Sequence, residues 1–70
     1  MNEIAIFAHN VATTRARQQL SQSQVSRRSG IHVTEVSRIE RGLRDPRVTT
    51  VVRLARALEV NPARLLDGIS

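Results

Sequence analysis

The sequence predicts an all-α domain in which five short helices pack into one compact bundle. Apolar residues recur at three- and four-residue spacing through most of the chain, which is the period of a helix. Glycine and proline lie between these stretches, where helices begin and end. Seventy residues allow one small core, so we expect a single domain over residues 1–70.

The first predicted helix covers residues 3–19, where no glycine or proline occurs. Its inward-facing apolar residues follow helical spacing: Ile4, Phe7, Ala8, Val11 and Ala12. Arg15 lies four residues after Val11 and therefore shares its inward side. Because an unpaired buried charge is costly, Arg15 needs a carboxylate partner unless it extends to solvent.

Residues 22–42 predict two short helices joined by a tight turn, over residues 22–29 and 33–41. Gly30 lies where the first of these helices must end in a left-handed residue, a conformation that glycine adopts at little cost. We also expect Gly30 to be small enough for the two helices to approach closely.

The start of the second helix carries signals for capping and for anion binding. Ser21 precedes it and Gln24 follows three positions later, which is the spacing of a capping box. Gln22 lies in the first turn, where unpaired N–H groups and a partial positive charge suit a phosphate. The alternative is that Gln22 is simply an exposed glutamine.

The third helix has two chemically different faces. Val36, Ile39 and Glu40 share one side, which is mostly apolar and should face the core. The opposite side carries hydrogen-bonding and cationic groups: Thr34, Ser37, Arg38 and Arg41. A short outward helix held by a preceding one is how a helix-turn-helix presents side chains to the major groove of DNA. Glu40, facing inward, is the candidate partner for Arg15.

Two further helices complete the predicted bundle. Residues 48–59 carry a core stripe: Val51, Leu54, Ala55 and Leu58. Asn61 and Pro62 supply an N-cap followed by proline at the first helical position. The last helix should therefore cover residues 62–67 and end at Gly68.

Several segments together are typical of one protein family: Leu20-Ser21-Gln22, Ser37-Arg38-Ile39-Glu40-Arg41-Gly42, Pro46 and residues 54–60. With them the chain resembles the helix-turn-helix domain of the Xre family, the phage repressor and Cro type, without gaps from about Phe7 to Leu66. The resemblance implies a five-helix bundle of the phage repressor type and a double-stranded DNA partner. It also implies a buried ion pair between Arg15 and Glu40.

The outward face and the resemblance together suggest which residues contact DNA. The candidate base-reading residues are Val33, Thr34, Ser37 and Arg38. The candidate residues for positioning on the DNA backbone are Gln22, His32, Arg44 and Arg47. Arg38 is the foremost reader, because a guanidinium can donate to O6 and N7 of guanine together.

Each of four positions on this surface has two possible roles. Arg44 and Arg47 are either loop contacts to the backbone, as the resemblance implies, or exposed arginines without contact. His32 stands where Ser, Thr or Asp would cap the third helix better, and we expect it near the DNA backbone rather than at a metal. Glu35 either complements the helix dipole or accepts a hydrogen bond from a cytosine amino group.

The chain departs from the family pattern at four positions in and around the first two helices. Gln19 stands where glycine is frequent, and Thr14 where a large aliphatic residue is usual. Ser26 and Ser29 replace apolar residues in the second helix. We expect these more polar residues to lower stability rather than to alter function.

The composition favours a polyanionic partner. The net charge is +5 and all eleven cations are arginines, although a codon bias toward arginine on a solvated surface is the alternative. The single aromatic residue, Phe7, argues against modules that stack bases on aromatic side chains. The chain has no cysteine, and we expect no metal, no cofactor and no small-molecule ligand.

We therefore expect a sequence-specific regulator in the cytoplasm, a repressor that binds a palindromic operator in double-stranded DNA as a homodimer. No apolar run approaches the roughly 20 residues that span a bilayer, and no signal peptide is recognisable. No nucleophile–base pair, paired carboxylates or phosphate-binding glycine loop suggests an enzyme. The alternative is an antitoxin-like module that binds a partner protein and uses DNA for autoregulation.

The apolar residues near the C-terminus predict the dimer contact. Leu65, Leu66 and Ile69 form an apolar end that we expect at the homodimer interface. The alternative is that Leu65 and Leu66 belong to the core of one protomer, which leaves only Ile69 exposed. A two-fold dimer reads two half-sites about one DNA turn apart, roughly 34–36 Å.

Overall fold

A computed structural model describes residues 2–70, which form five helices and no strand. In chain order the helices are α1 (Glu3–Arg17), α2 (Gln22–Ser29), α3 (Val33–Glu40), α4 (Val48–Ala57) and α5 (Pro62–Leu65). The predicted all-α, five-helix architecture is confirmed. Within the part of the chain that is described, no helix has the length and apolar content needed to cross a membrane.

Four helices end earlier than the spacing predicted: α3 by one residue, and α1, α4 and α5 by two each. For α1 and α4 the chain turns left-handed directly afterwards. α1 stops at Arg17, and Gln19 has a φ of 58°. α4 stops at Ala57, and Glu59 has a φ of 55°. A side chain in this conformation costs about 1–2 kcal/mol relative to the right-handed region. Glycine, which is frequent in the family at the first position, would avoid that cost.

The turn between α2 and α3 is held by serine side chains. Ser26 Oγ donates to the Ile31 carbonyl, and Ser29 Oγ accepts from the Ile31 N–H at 3.1 Å. Gly30 has a φ of 74°, but a β-carbon there would meet no atom within 4 Å. The backbone conformation therefore favours this glycine. Gly30 does not block the approach of the two helices, as expected, but a β-carbon would not block it either.

The core lies between the apolar faces of all five helices. Its largest side chains with less than 2 % exposure are Val11, Val25, Val36, Ile39, Leu54, Leu58 and Leu65. No polar or charged residue in the range 2–70 is fully buried. The apolar stripes predicted for the first, third and fourth helices all contribute to this cluster.

The C-terminal leucines separate into core and surface. Leu65 is 0 % exposed, whereas Leu66 is 44 % exposed and Ile69 packs partly against the core. The assignment of Leu65 to a dimer interface was therefore wrong, because α5 turns this side chain into its own protomer. Leu66 and Ile69 remain candidates for that interface.

Two amide side chains fasten distant parts of the chain together. Asn10 Nδ2 donates to the carbonyl oxygens of Leu65 at 3.0 Å and Asp67 at 2.9 Å. Gln18 Nε2 donates to the Leu58 carbonyl at 2.6 Å. These bonds tie α1 to the ends of α5 and α4, and so fix the frame in which α2 and α3 are held.

Candidate nucleic-acid interface

The exposed side of α3 brings the four candidate base-reading residues together. Val33 is 36 % exposed, Thr34 is exposed, and Ser37 is half-buried. The Arg38 side chain is 44 % exposed. The opposite side of α3 is inserted into the core, so the helix presents one polar surface and cannot rotate without exposing its apolar residues.

His32 caps the N-terminus of α3. Its Nδ1 accepts a hydrogen bond from the Thr34 N–H at 3.2 Å, and the residue stays exposed. In a neutral imidazole with Nδ1 accepting, Nε2 carries the proton and is a hydrogen-bond donor. The position before the helix was recognised in the sequence, but the capping bond was not expected of histidine.

An ion pair anchors the inner side of α3 to α1. Arg15 Nε lies 2.7 Å from Glu40 Oε2, and Arg15 Nη2 lies 2.9 Å from Glu40 Oε1. Arg15 Nη1 donates to the Leu20 carbonyl at 2.9 Å. The Glu40 side chain is only 6 % exposed and that of Arg15 is 22 % exposed. The pair expected from the inward phases of the two helices is present.

The protonation of Arg15 is secured by this pair. The hydrogen bond to Glu40 raises the pKa of Arg15 above its ordinary value, with Coulombic attraction adding to the effect and burial opposing it. Because the folded-state pKa is raised, the stabilisation is present below the ordinary arginine pKa and is lost only at higher pH. The guanidinium is therefore charged throughout the neutral range.

Gln22 joins the same network. Its Nε2 donates to Glu40 Oε1 at 3.1 Å, and the residue is half-buried. The start of α2 is thereby bonded to the end of α3. The carbonyl oxygen of the Gln22 side chain is an additional acceptor, so the contact with Glu40 leaves this end of the amide for another partner.

A second cluster of charges lies on the outer side of α3. Arg44 Nε donates to Glu35 Oε1 at 3.2 Å and to Glu35 Oε2 at 3.1 Å. Arg38 Nη1 lies 4.0 Å from Glu35 Oε1. The i, i+3 spacing of Glu35 and Arg38 is visible in the sequence. The approach of Arg44 is not, because it depends on the path of the loop after α3.

Arg47 lies farther along that loop, immediately before α4. It is exposed, and its side chain makes no hydrogen bond or ion pair with any of residues 2–70. The exposed or half-exposed guanidinium groups of Arg38, Arg44 and Arg47 thus extend from α3 into the loop, and the exposed Arg41 lies between the first two in the chain. Such groups bond phosphate oxygens and guanine edges, so the arrangement is that of a helix-turn-helix DNA-binding protein.

The chain belongs to the helix-turn-helix family HTH_3, which it matches over residues 11–65. The resemblance to the Xre family, the phage repressor and Cro type, is confirmed. The protein is a DNA-binding transcriptional regulator, as the family and its related regulators show.

The relatives cover most of the chain. Control protein C.SmaI from Serratia marcescens is 38 % identical over 61 residues, which are 87 % of this chain and 73 % of that protein. The uncharacterized HTH-type transcriptional regulator y4dJ from Sinorhizobium fredii is 40 % identical over 61 residues, with coverage of 87 % and 79 %. The crystal structure of the restriction-modification controller protein C.AhdI from Aeromonas hydrophila superimposes with a TM-score of 0.86 at 29 % identity. The superposition covers 89 % of this chain and 94 % of the C.AhdI chain.

Proposed function

We propose that the protein is a repressor that binds a palindromic operator as a homodimer, through α3 and the loop that follows it. The observation that carries the proposal is the exposed polar side of α3 on a helix that Glu40 anchors from the inside. Base readout needs a helix held at a fixed angle, because a bidentate contact tolerates little displacement.

The proposed contacts fall into two groups. Val33, Thr34, Ser37 and Arg38 read the bases, with Arg38 bonding O6 and N7 of a guanine and the first two meeting thymine methyl groups or base edges. The residues Gln22, His32, Arg44 and Arg47 contact phosphates and fix the register of the domain without reading sequence. The exposed Nε2 of His32 and the guanidinium of Arg47, which has no partner among residues 2–70, suit this second group.

We assign the dimer contact to an apolar groove between α1, α4 and α5, with a second copy of the chain as its occupant. The groove residues include Ile4, Phe7, Val48, Val51, Leu66 and Ile69. Val48 is 78 % exposed and Leu66 is 44 % exposed, so a partner that covers them removes apolar surface from water.

The charges around this groove favour protein over DNA as its partner. Glu3 and Asp45 line it beside the apolar side chains, and no residue of α2 or α3 does so. Two carboxylates repel phosphates, whereas a dimer formed here leaves the exposed side of α3 accessible. The protomer measures 30 × 21 × 21 Å. Binding to two half-sites requires that the dimer hold its two α3 helices about one DNA turn apart, roughly 34–36 Å.

Selection from a random DNA pool tests the operator. We expect a palindrome with half-sites one helical turn apart, and sedimentation of the purified complex should give two protomers per site. A one-to-one complex on a non-palindromic site would contradict the proposal.

Paired variants in and directly after α5 test the groove. Leu66→Glu places a charge in the groove and should abolish the dimer, while Ala63→Glu adds the same charge at an exposed position of α5 and should not. The two variants have the same net charge, so a difference between them reports the apolar contact. Equal dimerisation of both would exclude the groove as the interface.

Two relatives favour a more specific role, because C.SmaI is named a control protein and C.AhdI a restriction-modification controller. We infer that this protein controls the genes of a restriction–modification system. The operator found by selection should then match a promoter beside such genes in the source genome, and added protein should reduce transcription from it. A match at unrelated genes would contradict this role, and increased transcription would contradict repression.

A further inference from the structure

One carboxylate lies beside both arginines to which we assign different DNA contacts. Glu35 accepts two hydrogen bonds from Arg44 Nε and lies 4.0 Å from Arg38 Nη1. A carboxylate on a surface meant for phosphates is unfavourable unless it has a compensating role, because it repels them. A role for Glu35 in DNA binding rests on the roles proposed for Arg38 and Arg44.

The geometry of the Arg44 contact leaves most of its donors unused. Both carboxylate oxygens of Glu35 are reached from Nε alone, at 3.2 and 3.1 Å. Neither Nη1 nor Nη2 of Arg44 has a hydrogen-bond partner among residues 2–70. These two nitrogens carry four of the five N–H groups of a guanidinium. Glu35 therefore restricts the side chain without occupying the groups that bind a phosphate.

Arg38 is attracted by Glu35 but is not hydrogen-bonded to it. Its Nη1 is 4.0 Å from the carboxylate, which is beyond hydrogen-bond distance, and Arg38 follows Glu35 by one turn of the helix. All the donors that a guanine would engage are therefore available. The same carboxylate limits the space that this long side chain samples.

We propose that Glu35 is a positioning residue for DNA binding, which orders Arg44 for a phosphate and holds Arg38 beside it for the base edge. An arginine that is free in solution loses rotamer entropy when it binds, whereas one already ordered loses less. Glu35 thereby couples the residue that reads sequence to a residue that fixes register.

Two simpler roles for Glu35 make different predictions. If it only repels phosphates, its removal strengthens DNA binding. If it only stabilises the first turn of α3 through the helix dipole, its removal acts on binding equally with and without Arg44. The positioning role predicts an effect that depends on the presence of Arg44.

A double-mutant cycle separates these roles. Binding to the selected operator would be measured for the wild type, Glu35→Ala, Arg44→Ala and the double variant. We expect Glu35→Ala to weaken binding about two- to fivefold when Arg44 is present, the range for exposed charge pairs, and to weaken it clearly less in the Arg44→Ala background, where only the attraction to Arg38 is lost. Glu35→Gln should recover part of the affinity, because its side-chain oxygen still accepts from Arg44 Nε.

Salt dependence gives a readout that a purely structural role would not change. Glu35→Ala should reduce the slope of log affinity against log salt by about one unit for each phosphate that is no longer bound, as Arg44→Ala does. The double variant should show no further reduction. Asp67→Ala, which removes a carboxylate from the C-terminal turn, is the matched control for charge and should keep the wild-type slope.

Order in the free protein can be followed without DNA. In ¹⁵N spectra the Arg44 Nε–H should exchange slowly with water in the wild type and rapidly in Glu35→Ala. Tighter binding by Glu35→Ala, or equal weakening with and without Arg44, would overturn the inference. If Arg44→Ala alone leaves affinity and salt slope unchanged, the phosphate role given to Arg44 fails as well, so the two failures are distinguishable.

Discussion

Helix α3 carries two carboxylates, and each accepts a hydrogen bond from the Nε of an arginine. Glu40 is bonded by Arg15 at 2.7 Å, and its side chain is 6 % exposed. Glu35 is bonded by Arg44 at 3.1 Å, and its side chain is 36 % exposed. The inner carboxylate also accepts from Gln22, whereas among residues 2–70 the outer one accepts a side-chain hydrogen bond only from Arg44.

The difference between the two ion pairs shows that burial determines whether an arginine–glutamate pair stabilises the fold. When a pair is shielded from water, removal of one partner strands a charge, so the inner pair holds the fold together. When a pair is solvated, it contributes little to folding, so the outer pair is free to exchange or share its partners with DNA.

Removal of the inner carboxylate should be the most damaging change. Glu40→Ala leaves Arg15 without its partner, and we expect a decrease of about 3 kcal/mol in the free energy of unfolding, measured by urea denaturation. This is the lower end for a buried pair, because the Arg15 side chain keeps 22 % exposure. Glu35→Ala is the control and should cost less than about 1 kcal/mol. Equal decreases would remove the distinction between the two sides.

Arg38→Ala should affect recognition without affecting the fold. Removal of a bidentate guanine contact should cost about 1–3 kcal/mol on the preferred operator and much less on a site that lacks this guanine. Competition binding on operator variants at several salt concentrations measures the effect. Arg44→Ala provides the comparison, since it should weaken all sequences by similar factors. Uniform weakening by both variants would mean that these arginines supply only charge.

Ser26→Ala should lower the stability of the protein by weakening the turn that precedes α3, and so affect both sides of that helix. It removes the hydrogen bond to the Ile31 carbonyl, and we expect a decrease of about 1 kcal/mol in unfolding free energy. Ser23→Ala, at an exposed position of the same helix, controls for the change in helix propensity. A stabilised Ser26→Ala variant would show that the packing of the family's usual small apolar residue contributes more here than the hydrogen bond of serine.

Gln19→Gly should stabilise the protein while leaving both sides of α3 unchanged. The φ of 58° at Gln19 is unfavourable for a side chain, and we expect an increase of about 0.5–1 kcal/mol in unfolding free energy. DNA affinity should stay at the wild-type value, because the residue lies in the loop after α1. Stabilisation accompanied by altered affinity would mean that this loop influences α3.

The inner side of α3 could be predicted from sequence because helical phase determines which residues face inward. The positions of Arg15 and Glu40 follow from two helices whose spacing is regular, and only their distance had to be observed. The outer cluster could not be predicted in this way. Glu35 and Arg44 are nine residues apart, and the irregular loop between them determines whether they meet.

The C-terminal residues show a second limit of helical phase. α5 has only four residues, which is too short for a periodic pattern to show whether Leu65 or Leu66 faces inward. The structure buries Leu65 and exposes Leu66, and that choice depends on how α5 packs against the rest of the bundle. Ser26 and Ser29 in α2 likewise look like unfavourable substitutions in the sequence, because a periodic pattern does not reveal the backbone groups to which they bond.

The two hydrogen bonds of Asn10 have a consequence for local motion. They join α1 to carbonyl groups 55 and 57 positions away, so α2, α3 and α4 lie within a loop of chain that is closed at its base. A helix inside such a loop cannot fray progressively from a free end of the chain. We therefore expect the backbone amides of α3 to exchange with deuterium by the same cooperative opening as those of α1, rather than through a separate low-energy opening of the recognition helix.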